Sequence, residues 1–571
     1  MWPRHRRALA RAALLTILGG CGVAGAEATG QAASSGTAPP HPAAVAAAAV
    51  TLVSAEPGTS DSPASDLAAL SRWLGEARLV GLGEGEHGTQ TLHRLTHRVF
   101  AHLAREAGFD VLALEIDGAH AALLDAWVQG ERDDLEAILA ERWWGSEVFY
   151  DEATLELLRW MRAENRSGRR RLRVAGFDLK QPALAARMVV DALRPIDEVA
   201  AAAAEARFRR ALAPGAFGLF PNVWGFTGSV RVPLPRRPAG APALVELEVR
   251  ADGVTYGTAG VAAAAGDAQQ HATRGPENLT ADWRPLRLEL EVPALVEELE
   301  LTLYHRGDGT VWLTAPRITV GGTVVVADLG RLQVRPLLMP RLQANDYRHE
   351  VVPSGALGQP ALRIEADPGL RDSRAAAAAA EAHVRGVVER AGGHLESGRA
   401  AWLVQAARLV RQAVEWRTLG QNNRDVFLAE NLAWLATTAF PERRILALAH
   451  RSHAERREGR MGAWLDQRLG ASYRTVSMLV GSGEELAFGE LATLEPGAAL
   501  VTVPIEPPAA GTFEGTVAAL REGEFLLPLA EIAGTPAGRS WLEAVHPRPR
   551  EAPDVVIWLD RAAPMRQAVP R

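Results

Sequence analysis

One stretch constrains the fold more than any other: Arg78-Leu-Val-Gly-Leu-Gly-Glu-Gly-Glu-His-Gly-Thr89. The apolar run Leu79–Leu82 reads as a buried strand, broken by Gly83, Gly85 and Gly88. A helical pattern, Leu92, Leu95, Val99 and Leu103, follows at once. Glycines at a strand-to-helix turn let the backbone fold tightly and approach a ligand closely. The turn also carries Glu84, Glu86 and His87 at the carboxyl end of a strand, where open α/β sheets bind ligands.

The strand-then-ionisable pattern recurs. Asp110-Val-Leu-Ala-Leu-Glu-Ile-Asp117 and Arg171-Leu-Arg-Val-Ala-Gly-Phe-Asp178 end in carboxylates, and Arg443-Arg-Ile-Leu-Ala-Leu-Ala-His450 ends in a histidine. Further strands are expected at Arg474–Val480, Ala499–Val503 and Val555–Asp560, with helical sequence over Ala119–Ala163, Pro182–Leu212 and Ala375–Ala439. Alternating strands and helices predict a three-layer α/β/α fold with a mostly parallel sheet. Between Phe217 and Ile364 the period changes to two, as in Leu244–Arg250, Leu286–Val292 and Leu299–Tyr304, with turns at Asp252-Gly253 and Asp308-Gly309. That pattern predicts an inserted antiparallel β-sandwich. Trp283–Pro293 and Gly309–Leu313 resemble the last strands of jelly-roll modules of the carbohydrate-binding type, although Thr314 and Ala315 stand where those modules carry acidic residues. The insertion is therefore read as a structural sandwich rather than a glycan-binding one.

At 571 residues the chain exceeds one average domain. The expected divisions are a signal at 1–21, a tether rich in Ala, Gly, Ser and Pro at 22–50, an α/β domain at 51–215 and 366–571, and the β insertion at 216–365. Arg4, Arg6, Arg7 and Arg11 precede an apolar stretch, Ala12–Leu18, and then Leu18-Gly-Gly-Cys21, which describes a secretory signal too short to span a bilayer. It resembles a bacterial lipoprotein signal, which implies lipidation of Cys21 and anchoring in the cell envelope. Gly22 after that cysteine fits the periplasmic face of the outer membrane. Cys21 is the sole cysteine, so intrachain disulfides and cysteine-based metal sites are excluded. The formal charge of -6 and the lack of a sustained basic stripe argue against a nucleic-acid partner.

In a parallel sheet Glu84, Glu115, Asp178 and His450 share one edge, so they are expected to converge on one site. A carboxylate beside an imidazole fixes its tautomer and makes it a better base, so Glu84 is expected to orient His87 to deprotonate water. His450, His453 and Arg98 are then candidate donors to an oxyanion. No Gly-x-Ser-x-Gly elbow is present, which leaves activated water as the simplest nucleophile. The competing reading is a binding protein that uses His87, His450, His453 and Glu84 to hold a divalent metal, or that holds haem.

The ordered set Gly83-Glu-Gly-Glu-His-Gly-Thr89, Phe109–Glu115 and Gly176-Phe-Asp178 resembles the erythromycin esterase family. Arg424-Asp425, Ala429-Glu430-Asn431, Ala449-His450-x-x-His453 and Met461-Gly462 extend the resemblance in order, over most of 65–215 and 375–565. The resemblance implies metal-independent hydrolysis of a small-molecule ester or lactone, macrolide lactones being the best known, and hence a possible link to antibiotic resistance. It implies that His87 is the general base with Glu84 beside it, and that His450, His453 and Glu514 line the cleft. Thr91 and Thr96 replace acidic and basic residues of many relatives. Glu86 and Arg451 replace a small residue and an asparagine, and they add charge, with Asp178, to the expected substrate-binding region.

Overall fold

The structure is a computed structural model. It describes residues 42–57, 65–140, 149–212, 226–236, 241–255, 257–265, 268–293, 296–334, 347–353, 358–366, 369–392, 395–419, 424–488 and 500–566. The signal, Cys21 and most of the tether lie outside the described residues. The chain divides into two compact units. Within the described residues the first holds 42–188, 395–406 and 424–566, and the second holds 189–392 and 407–419.

The first unit is built on an eight-stranded sheet. Its strands are β1 (Val50–Thr51), β2 (Leu79–Glu84), β3 (Phe109–Asp117), β4 (Arg173–Asp178), β5 (Arg444–His450), β6 (Tyr473–Val480), β7 (Phe525–Leu527) and β8 (Val555–Leu559). They lie in the order β1-β7-β8-β6-β2-β5-β3-β4. From β8 to β4 every neighbouring pair is parallel, whereas β7 pairs antiparallel with both β8 and β1. The sheet is thus mixed, with its parallel part at the centre. Every residue of β2 and of β8 is buried, so both faces of the sheet are covered, as parallel strands require.

Among the helices that connect these strands, α1 (Gln90–Glu106) follows β2, and α2 (Gly118–Gln129) follows β3. Next comes α3 (Glu152–Arg166). Leu92, Leu95, Val99 and Leu103 of α1 are essentially inaccessible, each contributing about 1.5–3 kcal/mol of apolar burial. The helix ends at Ala107, where Gly108 takes a positive φ. The helical run expected over Ala119–Ala163 is broken at Gly130, which adopts φ 80 and caps α2; the interruption expected at Trp143-Trp144-Gly145 lies outside the described residues. Later, α4 (Arg424–Trp434), α5 (Arg451–Ala454), α6 (Met461–Leu469) and α7 (Phe513–Ala518) complete the part that matters for the site. The segment expected as a further sheet strand at Ala499–Val503 is instead half of a hairpin, Gly483–Phe488 with Leu500–Ile505, apart from the main sheet. Its period resembles that of a sheet strand, but hydrogen bonding is satisfied by its own neighbour. No helix among the described residues is long and apolar enough to cross a membrane.

The second unit contains two antiparallel sheets that share one apolar core. Alternation explains this: in Pro242–Asp252 each second residue is buried, so one face of the strand is apolar and the other polar. Helices Glu198–Leu212 and Gly369–Ala391 belong to this unit and meet in a cluster containing Ala211, Ala376 and Ala377.

Candidate functional site

Four adjacent parallel strands, β2-β5-β3-β4, deliver Glu84, His450, Glu115 and Asp178 to one sheet edge. His450 lies directly in register with Glu84. Close backbone approach at this edge explains two glycines. A Cβ on Gly83 would stand 2.8 Å from Arg451 Cα, so only glycine lets α5 cross β2. Gly88, at φ 72, follows His87, and a Cβ there would lie 2.0 Å from the Leu486 carbonyl oxygen.

Glu84 is inaccessible and its Oε1 accepts from His87 Nδ1 at 2.6 Å. Burial opposes ionisation of Glu84, but its two imidazole neighbours, His87 and His93, outweigh that and hold its carboxyl at about 2. With Nδ1–H committed to the carboxylate, the lone pair of His87 is on Nε2. The His87 side chain is 25 % exposed and lies edge-on to Phe149 at 5.6 Å between centroids. The His450 ring centroid is 4.8 Å away. His450 has the complementary tautomer. Its Nδ1 accepts from the Ser452 amide at 3.3 Å and contacts Ser452 Oγ at 2.7 Å, so its proton is on Nε2. The pair therefore offers one imidazole as base and one as donor.

Beneath this pair lies a buried ionic network. Arg424, the first residue of α4, donates to Glu115 Oε1 at 2.7 Å and to Asp178 Oδ2 at 2.8 Å. Glu115 Oε2 accepts the His450 amide at 2.9 Å, so the carboxylate fixes the end of β5. Burial disfavours the charge on Glu115 and Asp178; the cations around them outweigh it, and both are held below the ordinary carboxylate range. Lys180 Nζ stands 3.3 Å from Asp178. Asp117 is different: buried and beside Asp178, its carboxyl is pushed up to about 7 while it caps α2.

Several expected roles change. His453 does not reach a substrate: it is 1 % exposed, its Nδ1 donates to Asp425 at 2.7 Å, and its Nε2 accepts from Arg424 at 3.2 Å. A guanidinium has no acceptor, which fixes that tautomer. Arg98 is no oxyanion donor either, because its guanidinium is held by Asp66 and the Ser54 carbonyl. Glu115 and Asp178, expected as catalytic and substrate-contacting groups, are both buried and bound to Arg424, so they position the edge rather than touch a ligand. Arg451 is paired to Glu514 at 2.7 Å, and each is about one-third exposed. Glu86 is half-buried beside the base.

A metal held by His87, His450, His453 and Glu84 does not fit this donor set. Both oxygens of Glu84 face imidazoles, and both nitrogens of His453 have protein partners.

Sequence reasoning missed His93 and Asp151. His93 is in the first turn of α1, between Glu84 and Asp151, and is itself inaccessible. His93 shares the buried face of α1 with Gln90, Thr96, His97 and His102, so nothing in the sequence singled it out. Arg424 and Asp425 were visible as landmarks without a role.

The model of the erythromycin esterase family matches residues 104–219 and 341–565. Over 121 residues the chain is 24% identical to an erythromycin esterase type II of Escherichia coli, which spans 21% of this chain and only 27% of that relative. Among solved structures, a Bacillus cereus protein is similar with a TM-score of 0.57 at 14% identity, covering 92% of this chain and 98% of that one. A succinoglycan biosynthesis protein is similar with a TM-score of 0.52 at 13% identity, covering 92% and 97%. A mutant of the erythromycin esterase EreC in its open conformation gives 0.52 at 13% identity, covering 91% and 99%. These structural likenesses concern the fold. With the family model spanning more than half of its length, the chain belongs to the erythromycin esterase family.

Proposed function

We propose that the protein is a hydrolase that cleaves a small-molecule ester or lactone with water activated by His87, without a resident metal. The observation that carries this reading is the pair of complementary imidazoles, His87 bound through Nδ1 to Glu84 at 2.6 Å and His450 with its ring 4.8 Å away. Water bound at His87 Nε2 loses a proton to the ring as its oxygen attacks the carbonyl carbon. The carbonyl oxygen gains negative charge, and the Nε2–H of His450 donates to it. The intermediate then expels the alkoxide, which takes the proton from His87, leaving a carboxylic acid and an alcohol. Glu84 stabilises the imidazolium formed between the two steps.

Arg451 follows His450 in the chain and pairs with Glu514, and Glu86 precedes His87; these three are proposed to contact substrate. The sequence of Met1–Gly22 supports a second part of the reading, a chain lipidated at Cys21 and held at the periplasmic face of the outer membrane.

The test is a panel of esters, lactones and macrolides assayed with the wild type and with His87→Gln. Loss of a general base is expected to lower kcat by about 10²–10⁴-fold while circular dichroism is unchanged. Unaltered turnover in a folded His87→Gln protein overturns the assignment.

A further inference from the structure

Glu84 is shared by two imidazoles. Its Oε1 meets His87, and its Oε2 faces His93 Nε2 at 3.4 Å. The other nitrogen of His93, Nδ1, faces Asp151 Oδ2 at 3.1 Å. Asp151 Oδ1 is engaged as the N-cap of α3, accepting from the Thr154 amide at 2.8 Å. The four groups thus form a row, His87–Glu84–His93–Asp151, in which imidazole and carboxylate alternate. Glu84, His93 and Asp151 are all at most 1 % exposed.

The contacts of His93 are ion-pair contacts, not aligned hydrogen bonds, and the facing atoms of Glu84, His93 and Asp151 have no other hydrogen-bond partner. A neutral imidazole presents a lone pair at one nitrogen. Here that lone pair would be pressed against a buried carboxylate oxygen at 3.1 or 3.4 Å, too close for a water to sit between them. Only the doubly protonated ring offers hydrogen to both sides.

We propose that His93 is a positioning residue, a buried permanent imidazolium that keeps Glu84 ionised and so holds His87 in the tautomer with its lone pair on Nε2. This rests on the reading of His87 as the base. The facing charges are Glu84 from the end of β2 and Asp151 from the start of α3, with His87 on the far oxygen of Glu84. Burial works against a charge on His93, but Asp151 and Glu84 outweigh it and raise the ring to about 10. Without that cation Glu84 would be an inaccessible carboxylate supported by His87 alone. Desolvation would then favour its protonation, and a protonated Glu84 no longer fixes the ring. His93 touches no substrate in this account. Its effect passes entirely through Glu84.

The experiment is histidine ¹⁵N and glutamate side-chain carboxyl ¹³C NMR on the full chain, with the signals of His93 identified by their loss in His93→Gln. In the wild type His93 is expected to show two protonated nitrogens from about pH 5 to about pH 9. In His93→Gln the proton taken up by the Glu84–His87 pair is expected to go on about one pH unit higher, with the acid limb of kcat/KM moving by the same amount. A wild-type His93 with one bare nitrogen at neutral pH overturns the proposal. So does a His93→Gln protein that loses activity with no displacement of either titration, since a purely structural role predicts that pattern. If His93→Gln does not fold, Asp151→Asn decides, because asparagine keeps the α3 cap and removes one of the two anions. The midpoint of His93 should then fall by at least about one unit, and a midpoint that stays put refutes the row. None of the NMR arms needs a substrate, so failure of the hydrolase reading leaves them intact and distinguishable.

Discussion

Replacing Arg424 with methionine separates the two tasks of the site edge, holding shape and doing chemistry. Arg424 is 3 % exposed, with Glu115 at 2.7 Å, Asp178 at 2.8 Å and His453 Nε2 at 3.2 Å. Methionine approximates the aliphatic stem but leaves two buried carboxylates with Lys180, 3.3 Å from Asp178, as the nearby cation. Breaking a buried ion pair from one side costs about 3–5 kcal/mol, and the lower end is expected because Lys180 remains. The sign with pH follows from the carboxyls. Glu115 and Asp178 are held low in the folded protein, so their stabilisation is complete above the ordinary carboxylate range and is lost as pH falls through their lowered values. In Arg424→Met burial is opposed less strongly, with Lys180 remaining, and pushes both upward, so they protonate first in the variant. The difference between the two proteins is therefore greatest near pH 7 and shrinks by about pH 5. Hydrogen exchange of the β3, β4 and β5 amides, expressed as protection factors so that intrinsic rates cancel, reads this locally. A loss below about 1 kcal/mol at neutral pH, or an equal loss at both pH values, refutes the argument.

Two further outcomes follow from local features. Gly88→Ala places a methyl 2.0 Å from the Leu486 carbonyl oxygen at a positive φ, so the turn carrying His87 must move. We expect at least about 1 kcal/mol of destabilisation and a fall in kcat, measured by thermal unfolding and ester turnover; an unchanged enzyme contradicts that packing. Cys21→Ala in cells should move the protein from the membrane fraction to the soluble envelope fraction, and continued membrane retention would remove the proposed anchor.

How much of this was legible beforehand depends on whether the signal was local. The edge was legible because each buried strand names itself by an apolar run, and each terminal residue, Glu84, Glu115, Asp178 or His450, breaks that run. What each residue does there was not legible, since roles follow from partners distant in sequence. Arg424 lies 309 residues from Glu115, and no periodicity links them. The same holds for Arg98, whose place on the helix after His87 suited a donor but whose guanidinium is taken by Asp66. His453 was misassigned for a related reason: the His-x-x-His spacing shows two rings near each other but not that one is sealed between Asp425 and Arg424. The hairpin at Leu500–Ile505 has strand composition, and composition does not choose a neighbour.

The guanidinium that bridges Glu115 and Asp178 arrives 246 residues after Asp178, beyond the whole β insertion. A ribosome delivers Glu84, Glu115 and Asp178 long before Arg424 exists. Until then a growing chain that desolvates that edge leaves Glu115 and Asp178 with Lys180 but without the guanidinium that bridges them. Contacts this remote in sequence also close slowly. Completion of the α/β unit is thus deferred until Arg424 and the strands that follow it have been made.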